Sequence, residues 1–183
     1  HTIHGLAFHP YESKRRNRVY IALERLAARR TDAIISVADA MTAQALAAGV
    51  GRPEQYQTIY SGMEVEPLLN RPPEADAFRA KLYLPPETVL VMQISRLAEL
   101  KGHEFLLDAA ERLDERIHFC FVGDGHLRSE IEEDIARRGL THRVYLTGLL
   151  SPSDIPAAVH AADIVVHCSL REGLARALPQ AML

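Results

Sequence analysis

From residue 88 onward, the sequence alternates between short apolar runs and segments with helical periodicity. Four runs of this kind predict strands, at residues 88–94, 117–122, 144–147 and 163–169, and each is followed by a loop and a helical pattern. Consecutive βα units form parallel strands, because each helix returns the chain to the end of the sheet where the previous strand began. The sequence therefore predicts an α/β fold with a doubly wound parallel sheet covered by helices on both faces.

Residues 1–64 show the same alternation in shorter form. A helix whose aliphatic residues Val19, Leu23 and Leu26 recur at helical spacing is followed by a strand, a second helix and a brief strand. These elements are predicted at residues 16–30, 33–37, 40–48 and 57–60. The chain has no initiator Met and stops within a helical pattern, so we expect part of a longer protein and a domain that lacks its beginning.

A proline-rich segment separates these two parts. Five prolines and several acidic residues lie between Met63 and Pro86, a composition typical of a linker, with room for a short helix over residues 75–82. We therefore predict the C-terminal part of a first domain at residues 1–64, a linker at 65–86, and a second domain at 87–183 that is truncated at its C-terminal end.

Charge and hydropathy exclude several classes of partner. A net charge of −3 and a pI near 6.3 give no general attraction to nucleic acid. The local exception is a basic group of four residues, Lys14, Arg15, Arg16 and Arg18, which predicts either a solvated helix start or a contact with anionic lipid headgroups or an anionic acceptor. No apolar run approaches the roughly 20 residues that span a bilayer. We expect a cytoplasmic protein, with peripheral contact at the inner membrane face as the alternative.

Cysteine and histidine patterns do not predict a metal site. Cys120 and Cys168 lie in separate predicted strands, which is typical of buried free thiols in a reducing compartment. His1 and His4 have the spacing of metal ligands but no third ligand nearby.

Charged residues and glycines follow each predicted strand of the second domain. Arg96 and Lys101 follow the first strand, and a Gly-Asp-Gly sequence, Gly148 and an Arg-Glu-Gly sequence follow the next three. Each could be an ordinary loop residue by itself, but open parallel sheets bind ligands at the carboxyl ends of their strands. A guanidinium, an ammonium and a helix N-terminus together attract an anion. We interpret the first loop as the part of the chain that binds the diphosphate of an activated sugar.

In order and spacing, these segments resemble the C-terminal domain of the retaining glycosyltransferases of GT-B fold, often called group 1 or family 4. The matching segments are residues 95–102, 121–125, 146–148 and 169–182, and residues 2–5, 32–37 and 59–63 resemble the end of that family's N-terminal domain. The resemblance covers nearly the whole chain. It implies a nucleotide-sugar-binding Rossmann-like domain preceded by part of an acceptor-side Rossmann-like domain.

The resemblance also implies roles for particular residues. Arg96 and Lys101 match the basic pair that holds the donor diphosphate and stabilises the charge of the leaving group. Glu172 matches the first acid of the family's E-x7-E motif, which binds hydroxyls of the donor sugar. Gly173 and Leu174 would then offer backbone N–H groups to the donor.

Four further positions follow from the same resemblance. Gly123 and Leu150 would lie against the donor, Leu150 through its backbone near the nucleobase, and His4 would lie near the donor sugar. Gln180 stands where the family has its second glutamate. An amide keeps one acceptor oxygen for the ribose hydroxyls but loses charge-assisted strength, about 1 kcal/mol.

The expected activity is transfer of a sugar from a nucleotide-diphosphate donor to an acceptor with retention of anomeric configuration. No carboxylate is an evident nucleophile, so we expect front-face departure assisted by Arg96 and Lys101. No metal or cofactor is expected beyond the nucleotide-diphosphate sugar as co-substrate. The acceptor would be a glycan, a lipid-linked sugar or a small molecule in polysaccharide or glycolipid biosynthesis. The alternatives are a donor-binding module without turnover and a sugar-nucleotide epimerase, against which the E-x7-Q spacing argues.

Overall fold

The computed structural model describes residues His1–Leu183, which separate into two compact units. Unit 1 comprises His1–Met63 with Glu172–Ala175, and unit 2 comprises Glu64–Arg171 with Arg176–Leu183. The strands are β1 Thr2–Ile3, β2 Ile34–Ser36, β3 Tyr56–Thr58, β4 Val89–Ile94, β5 Ile117–Val122, β6 Val144–Gly148 and β7 Ile164–Val165. The helices are α1 Lys14–Ala28, α2 Asp39–Ala47, α3 Glu66–Leu69, α4 Glu74–Lys81, α5 His103–Ala110, α6 Arg128–Arg137, α7 Ile155–Ala161 and α8 Ala177–Ala181.

Unit 1 is built on a parallel sheet of three strands in the order β1-β2-β3. The register pairs Thr2 with Ile35 and Ile34 with Tyr56. Its apolar core gathers side chains from the strands, α1, α2 and the loops between them, and comprises Ile3, Leu6, Ala28, Ile34, Val37, Met41, Ala45 and Val50. This is the βα layout predicted from the sequence.

Helix α1 buries a different face from the one that its aliphatic residues suggest. Leu23 is 58% exposed, and Val19 and Leu26 are also exposed, whereas Ala28 is buried in the core of unit 1. Helical spacing thus predicted the helix correctly, with bounds shifted by two residues, but not the face that packs. The aliphatic stripe of α1 has no covering element among the described residues.

Unit 2 has four parallel strands in the order β6-β5-β4-β7. Alternate residues of the central strands face opposite sides of the sheet, so two apolar clusters form. One cluster packs Val91, Phe119 and Phe121 against α5 and α6. The other packs Leu90, Met92 and Cys120 against α7, with α4 at its border. The predicted doubly wound α/β fold with helices on both faces is confirmed.

The last strand of unit 2 is shorter than predicted. Only Ile164 and Val165 pair with β4, although residues 163–169 form an apolar run. Beyond Val166, whose N–H donates to Met92 O at 2.8 Å, the chain enters a loop. The apolar run therefore predicted a longer strand than the two residues that pair, and its residues are half-buried or exposed rather than buried.

Residues 65–86, expected to form a linker, hold α3 and α4 and belong to unit 2. Arg79 on α4 donates to Ala161 O at 2.8 Å and pairs with Asp163 at 2.9 Å, and Leu68 is buried beside α7. Pro67 lies in the first turn of α3 and Pro73 caps α4, positions where a missing N–H costs nothing. Two of the five prolines that suggested a linker therefore stand at helix starts. None of the helices combines the length and apolar character needed to cross a bilayer.

Candidate functional site

The strand order of unit 2 places a topological switch point at the carboxyl end of β4. The chain leaves β4 toward β5 on one side, whereas β7 lies on the other side, so the order reverses between β4 and β7. In open parallel sheets such a switch point is where ligands bind. The loop over residues 95–102, which carries Arg96 and Lys101, starts at this point.

A buried amide ties the two ends of this loop together. Gln93 is 1% exposed and donates from Nε2 to Lys101 O at 2.7 Å and to Ser95 Oγ at 3.2 Å. Ser95 Oγ lies 3.3 Å from His103 Nε2, at the first residue of α5. Because Gln93 holds the main chain of Lys101, the position at which the lysine side chain starts is fixed by the core of the sheet.

His103 completes this polar network within the core. Its ring lies edge-on to Phe121 with 5.2 Å between centroids. Burial lowers the pKa of His103, against a smaller opposing effect of Glu104. The imidazole is therefore neutral near pH 7, and the positive charge of this loop comes from Arg96 and Lys101.

The loop is also held by apolar and backbone contacts. Leu97 and Ala98 are buried, while Arg96 between Ser95 and Leu97 is exposed. Leu100 has φ +64°, a left-handed conformation that is costly for a branched residue. Its carbonyl accepts a hydrogen bond from Leu170 N at 2.8 Å, which joins the loops that follow β4 and β7.

Glycines allow three loops to meet at this edge. A Cβ on Gly102 would lie under 3.0 Å from Cys168 O, one on Gly123 as close to Ser95 O, and one on Gly125 as close to Leu97 O. The N–H of Gly123 already donates to Gly148 O at 2.9 Å. Gly123 thus serves this edge through the space that it leaves rather than through a free donor.

The sequence analysis named the charged residues of this edge but missed the residues that position them. Gln93, Ser95 and His103 were not singled out, although an amide in the middle of an apolar strand is a signal that could have identified Gln93. Of the predicted residues, the structure brings Arg96, Lys101 and Gly123 to one edge of unit 2.

The remaining predicted residues are distributed over both units. Gly173 belongs to unit 1, where a Cβ would lie under 3.0 Å from His4 O, so these two positions are adjacent. Leu174 packs against the core of unit 1, and Glu172 is grouped with the same unit. In unit 2, Leu150 packs beside the α7 cluster and Gln180 lies in α8. No three His, Cys, Asp or Glu side chains lie close enough together to hold a metal ion.

A doubly wound parallel sheet with a basic loop at its switch point defines the class of Rossmann-like nucleotide-binding proteins. Within that class, residues 74–183 match the family described as glycosyl transferases group 1. The chain belongs to this family, and the predicted GT-B family resemblance is confirmed.

Relatives of known name extend the match toward the start of the chain. The chain is 32% identical to 2-deoxystreptamine glucosyltransferase of Streptomyces kanamyceticus over 167 residues, which are 88% of this chain and 43% of that protein. It is 27% identical to the UDP-Gal:alpha-D-GlcNAc-diphosphoundecaprenol alpha-1,3-galactosyltransferase of Escherichia coli, over 99% of this chain and 48% of that protein. The chain therefore spans about half the length of the relatives that it matches.

A solved structure agrees in fold. The crystal structure of HepE from Anabaena in complex with UDP-glucose superposes with a TM-score of 0.85 at 28% identity, and covers 99% of this chain and 50% of HepE.

Proposed function

We propose that the protein containing this chain transfers a hexosyl group from a nucleotide-diphosphate sugar to an acceptor with retention of anomeric configuration. The observation that carries the proposal is the loop at the switch point, where Gln93 fixes the backbone of Lys101 beside an exposed Arg96. Family membership and the UDP-glucose complex of HepE support a nucleotide sugar as the donor.

Arg96 and Lys101 would bind the two phosphates of the donor. A guanidinium binds a phosphate through two parallel N–H groups, and an ammonium adds a point charge. The attraction between these two cations and the diphosphate increases as the leaving group develops its full negative charge. The cations would therefore stabilise the transition state more than the bound donor. No carboxylate is assigned as a nucleophile, and we propose that the acceptor oxygen attacks on the face from which the diphosphate leaves.

The other predicted residues would bind the sugar and the nucleoside. Glu172 would accept hydrogen bonds from donor-sugar hydroxyls, with the N–H groups of Gly173 and Leu174 nearby and His4 next to the sugar. Leu150 and Gln180 would contact the nucleoside. The adjacency of His4 and Gly173 in unit 1 supports a shared role for these two positions.

Calorimetry with UDP- and GDP-sugars tests the diphosphate site. We expect Lys101→Ala and Arg96→Ala each to weaken donor binding about tenfold or more, as for the loss of a hydrogen bond to a charged group. Lys81→Ala and Arg112→Ala remove exposed charges of unit 2 that make no ion pair, and are the matched controls. Unchanged donor affinity in both loop variants would contradict the proposal.

Turnover separates the proposal from its alternatives. Because the chain spans about half of its relatives, it can be a donor-binding module that does not turn over by itself. A sugar-transfer assay on this chain and on a full-length parent distinguishes the two, and NMR of the product reports its anomeric configuration. Interconversion of the nucleotide sugar without an acceptor would indicate an epimerase.

A lipid-linked acceptor is the form of the proposal that the start of α1 favours. Lys14, Arg15 and Arg18 are exposed there, and Arg16 makes an ion pair with Glu12. Cations at a helix N-terminus interact unfavourably with the helix dipole. Anionic lipid headgroups would offset this repulsion by pairing with them. Cosedimentation with vesicles containing phosphatidylglycerol, compared between the parent chain and Lys14→Gln/Arg18→Gln, tests this contact.

A further inference from the structure

A cleft opens in unit 1 at the end of the sheet opposite to His4. It lies between the loop from α1 to β2 and the loop from α2 to β3, where these two strands begin. Its volume is about 560 Å³, within the range of small-ligand sites. The lining residues are Arg25, Ala28, Arg29, Arg30, Thr31, Asp32, Gly49, Gly51, Arg52 and Gln55.

The charge of this cleft is strongly positive. Four arginines line it, and Asp32 is the one acidic residue among them. Arg29, Arg30 and Arg52 make no ion pair with any carboxylate of the chain, unlike Arg79 or Arg138 in unit 2. Each guanidinium has five N–H donors, so most of the hydrogen-bonding capacity that faces the cleft is open.

The helix ends at the cleft do not cancel this charge. Carbonyls at helix C-termini carry partial negative charge and would repel an anion. Here Ala48 O, after α2, accepts from Nε and Nη2 of Arg25 at 2.9 and 2.6 Å. Ala28 O, at the last residue of α1, and Thr31 O, in the loop that follows, accept from Gln55 Nε2 at 3.0 and 2.5 Å. The chain therefore satisfies these carbonyls itself.

The same contacts make the wall of the cleft rigid. Gly49 and Gly51 have φ of +71° and +70°, and a Cβ on Gly49 would lie 3.0 Å from Arg25 Nη2. Gln55 also accepts from Arg52 N at 2.9 Å, so one amide side chain joins the two loops. Arg25 is thus held in place before any ligand arrives, which lowers the entropic cost of binding.

We propose that this cleft binds a phosphate-bearing anion with at least two negative charges. Several planar guanidiniums on one concave surface match phosphate oxygens, which accept bidentate hydrogen bonds. The phosphate belongs either to a small free molecule or to a lipid headgroup. The lining residues of the cleft include none of the residues proposed for the donor, so this proposal does not depend on them.

Calorimetric titration with pyrophosphate tests the free-phosphate case. We expect Arg30→Gln/Arg52→Gln to lose one bound pyrophosphate, or to bind it at least tenfold more weakly. Lys14→Gln/Arg18→Gln removes the same charge from unit 1 without touching the cleft, and should leave this binding intact. Lys101→Ala should weaken only the binding of pyrophosphate at the proposed donor site. Comparing the two variants therefore separates the two sites in the titration.

Vesicles of phosphatidylcholine with and without phosphatidic acid test the headgroup case. The site is assigned to a lipid headgroup if the parent chain binds the anionic vesicles and Arg30→Gln/Arg52→Gln does not. In that case the variant should bind pyrophosphate like the parent chain. Because the substituted side chains are exposed, both variants should unfold at the parent temperature, which circular dichroism checks. The proposal is overturned when neither probe distinguishes Arg30→Gln/Arg52→Gln from the parent chain, or when both double variants lose pyrophosphate binding equally.

Discussion

Both units are built on parallel strands, but their sheets are buried to different extents. In unit 2, the central strands β4 and β5 have six residues each, nine of these twelve are buried, and apolar clusters lie on both faces. In unit 1, β2 and β3 have three residues each, one cluster forms the core, and the aliphatic stripe of α1 is exposed. The difference teaches that hydrophobic periodicity defines an element, whereas the packing partners of that element decide its contribution to stability.

The largest expected effect is the difference in lost stability between truncating a buried leucine on α5 and an exposed leucine on α1. Leu107 on α5 is 2% exposed, whereas Leu23 on α1 is 58% exposed. Leu107→Ala should lower the free energy of unfolding of unit 2 by about 2–5 kcal/mol through lost burial and a cavity, and Leu23→Ala should cost less than about 0.5 kcal/mol. Hydrogen exchange of amides in α5 and α1 measures both. Equal costs would contradict the burial difference.

A second pair compares glycines from the two units. Gly123→Ala would drive a Cβ into Ser95 O, a backbone atom that cannot move freely, and should cost about 3 kcal/mol. Gly49→Ala meets only the end of the Arg25 side chain, so the cost should be about 1 kcal/mol from the left-handed backbone. Chemical denaturation of the two variants checks the order. A Gly123→Ala chain as stable as Gly49→Ala would show that the loops of unit 2 are not tightly joined.

Buried polar side chains give a third comparison. Gln93→Leu should destabilise unit 2 by about 1–3 kcal/mol, because Lys101 O loses the amide donor and Ser95 Oγ loses one of its two partners. In unit 1, Ser36 is fully buried and its Oγ lies 3.3 Å from Thr58 Oγ1, and Ser36→Ala should cost about 1 kcal/mol. Thermal unfolding measures the stability of both variants.

Donor binding distinguishes the roles of these two residues. Gln93→Leu should weaken nucleotide-sugar binding by displacing Lys101, whereas Ser36→Ala should leave it unchanged. Should Gln93→Leu bind the donor like the parent chain, Gln93 would be a structural residue alone.

The smallest expected effect is a pH dependence confined to unit 2, which holds both buried histidines. Burial lowers the pKa of His103 and of His118, so below the unfolded value near 6.5 the unfolded chain binds more protons than the folded chain. Stability should be complete above about pH 6.5 and fall as the pH drops, by at most about 1.4 kcal/mol per pH unit for each histidine. His103→Gln should reduce this slope in chemical denaturation between pH 7 and 5. A slope that His103→Gln and His118→Gln both leave unchanged would contradict the assignment.

Local pattern was sufficient for most elements and for the charged residues of the candidate site. The run over residues 117–122 predicted β5 with its observed bounds, and Arg96 and Lys101 were identified by their position after a strand. The segment over residues 65–86 was different, since its prolines indicate a linker and a helix start equally well. Contact with α7, about 80 residues further along the chain, decided that this segment forms helices packed on unit 2.

By itself, the sequence determined the order of strands and helices, the parallel α/β class and the position of two basic residues in the loop after β4. These follow from hydrophobic period and residue type, which are local properties. Tertiary structure alone decided which face of α1 is buried, that Gln93 reaches Lys101 O, and that Gly102 must lack a side chain because Cys168 O lies against it. It also brought four arginines from separate loops and a helix end to one cleft. The physical reason is that such contacts join residues distant in the chain, whose distances no local pattern specifies.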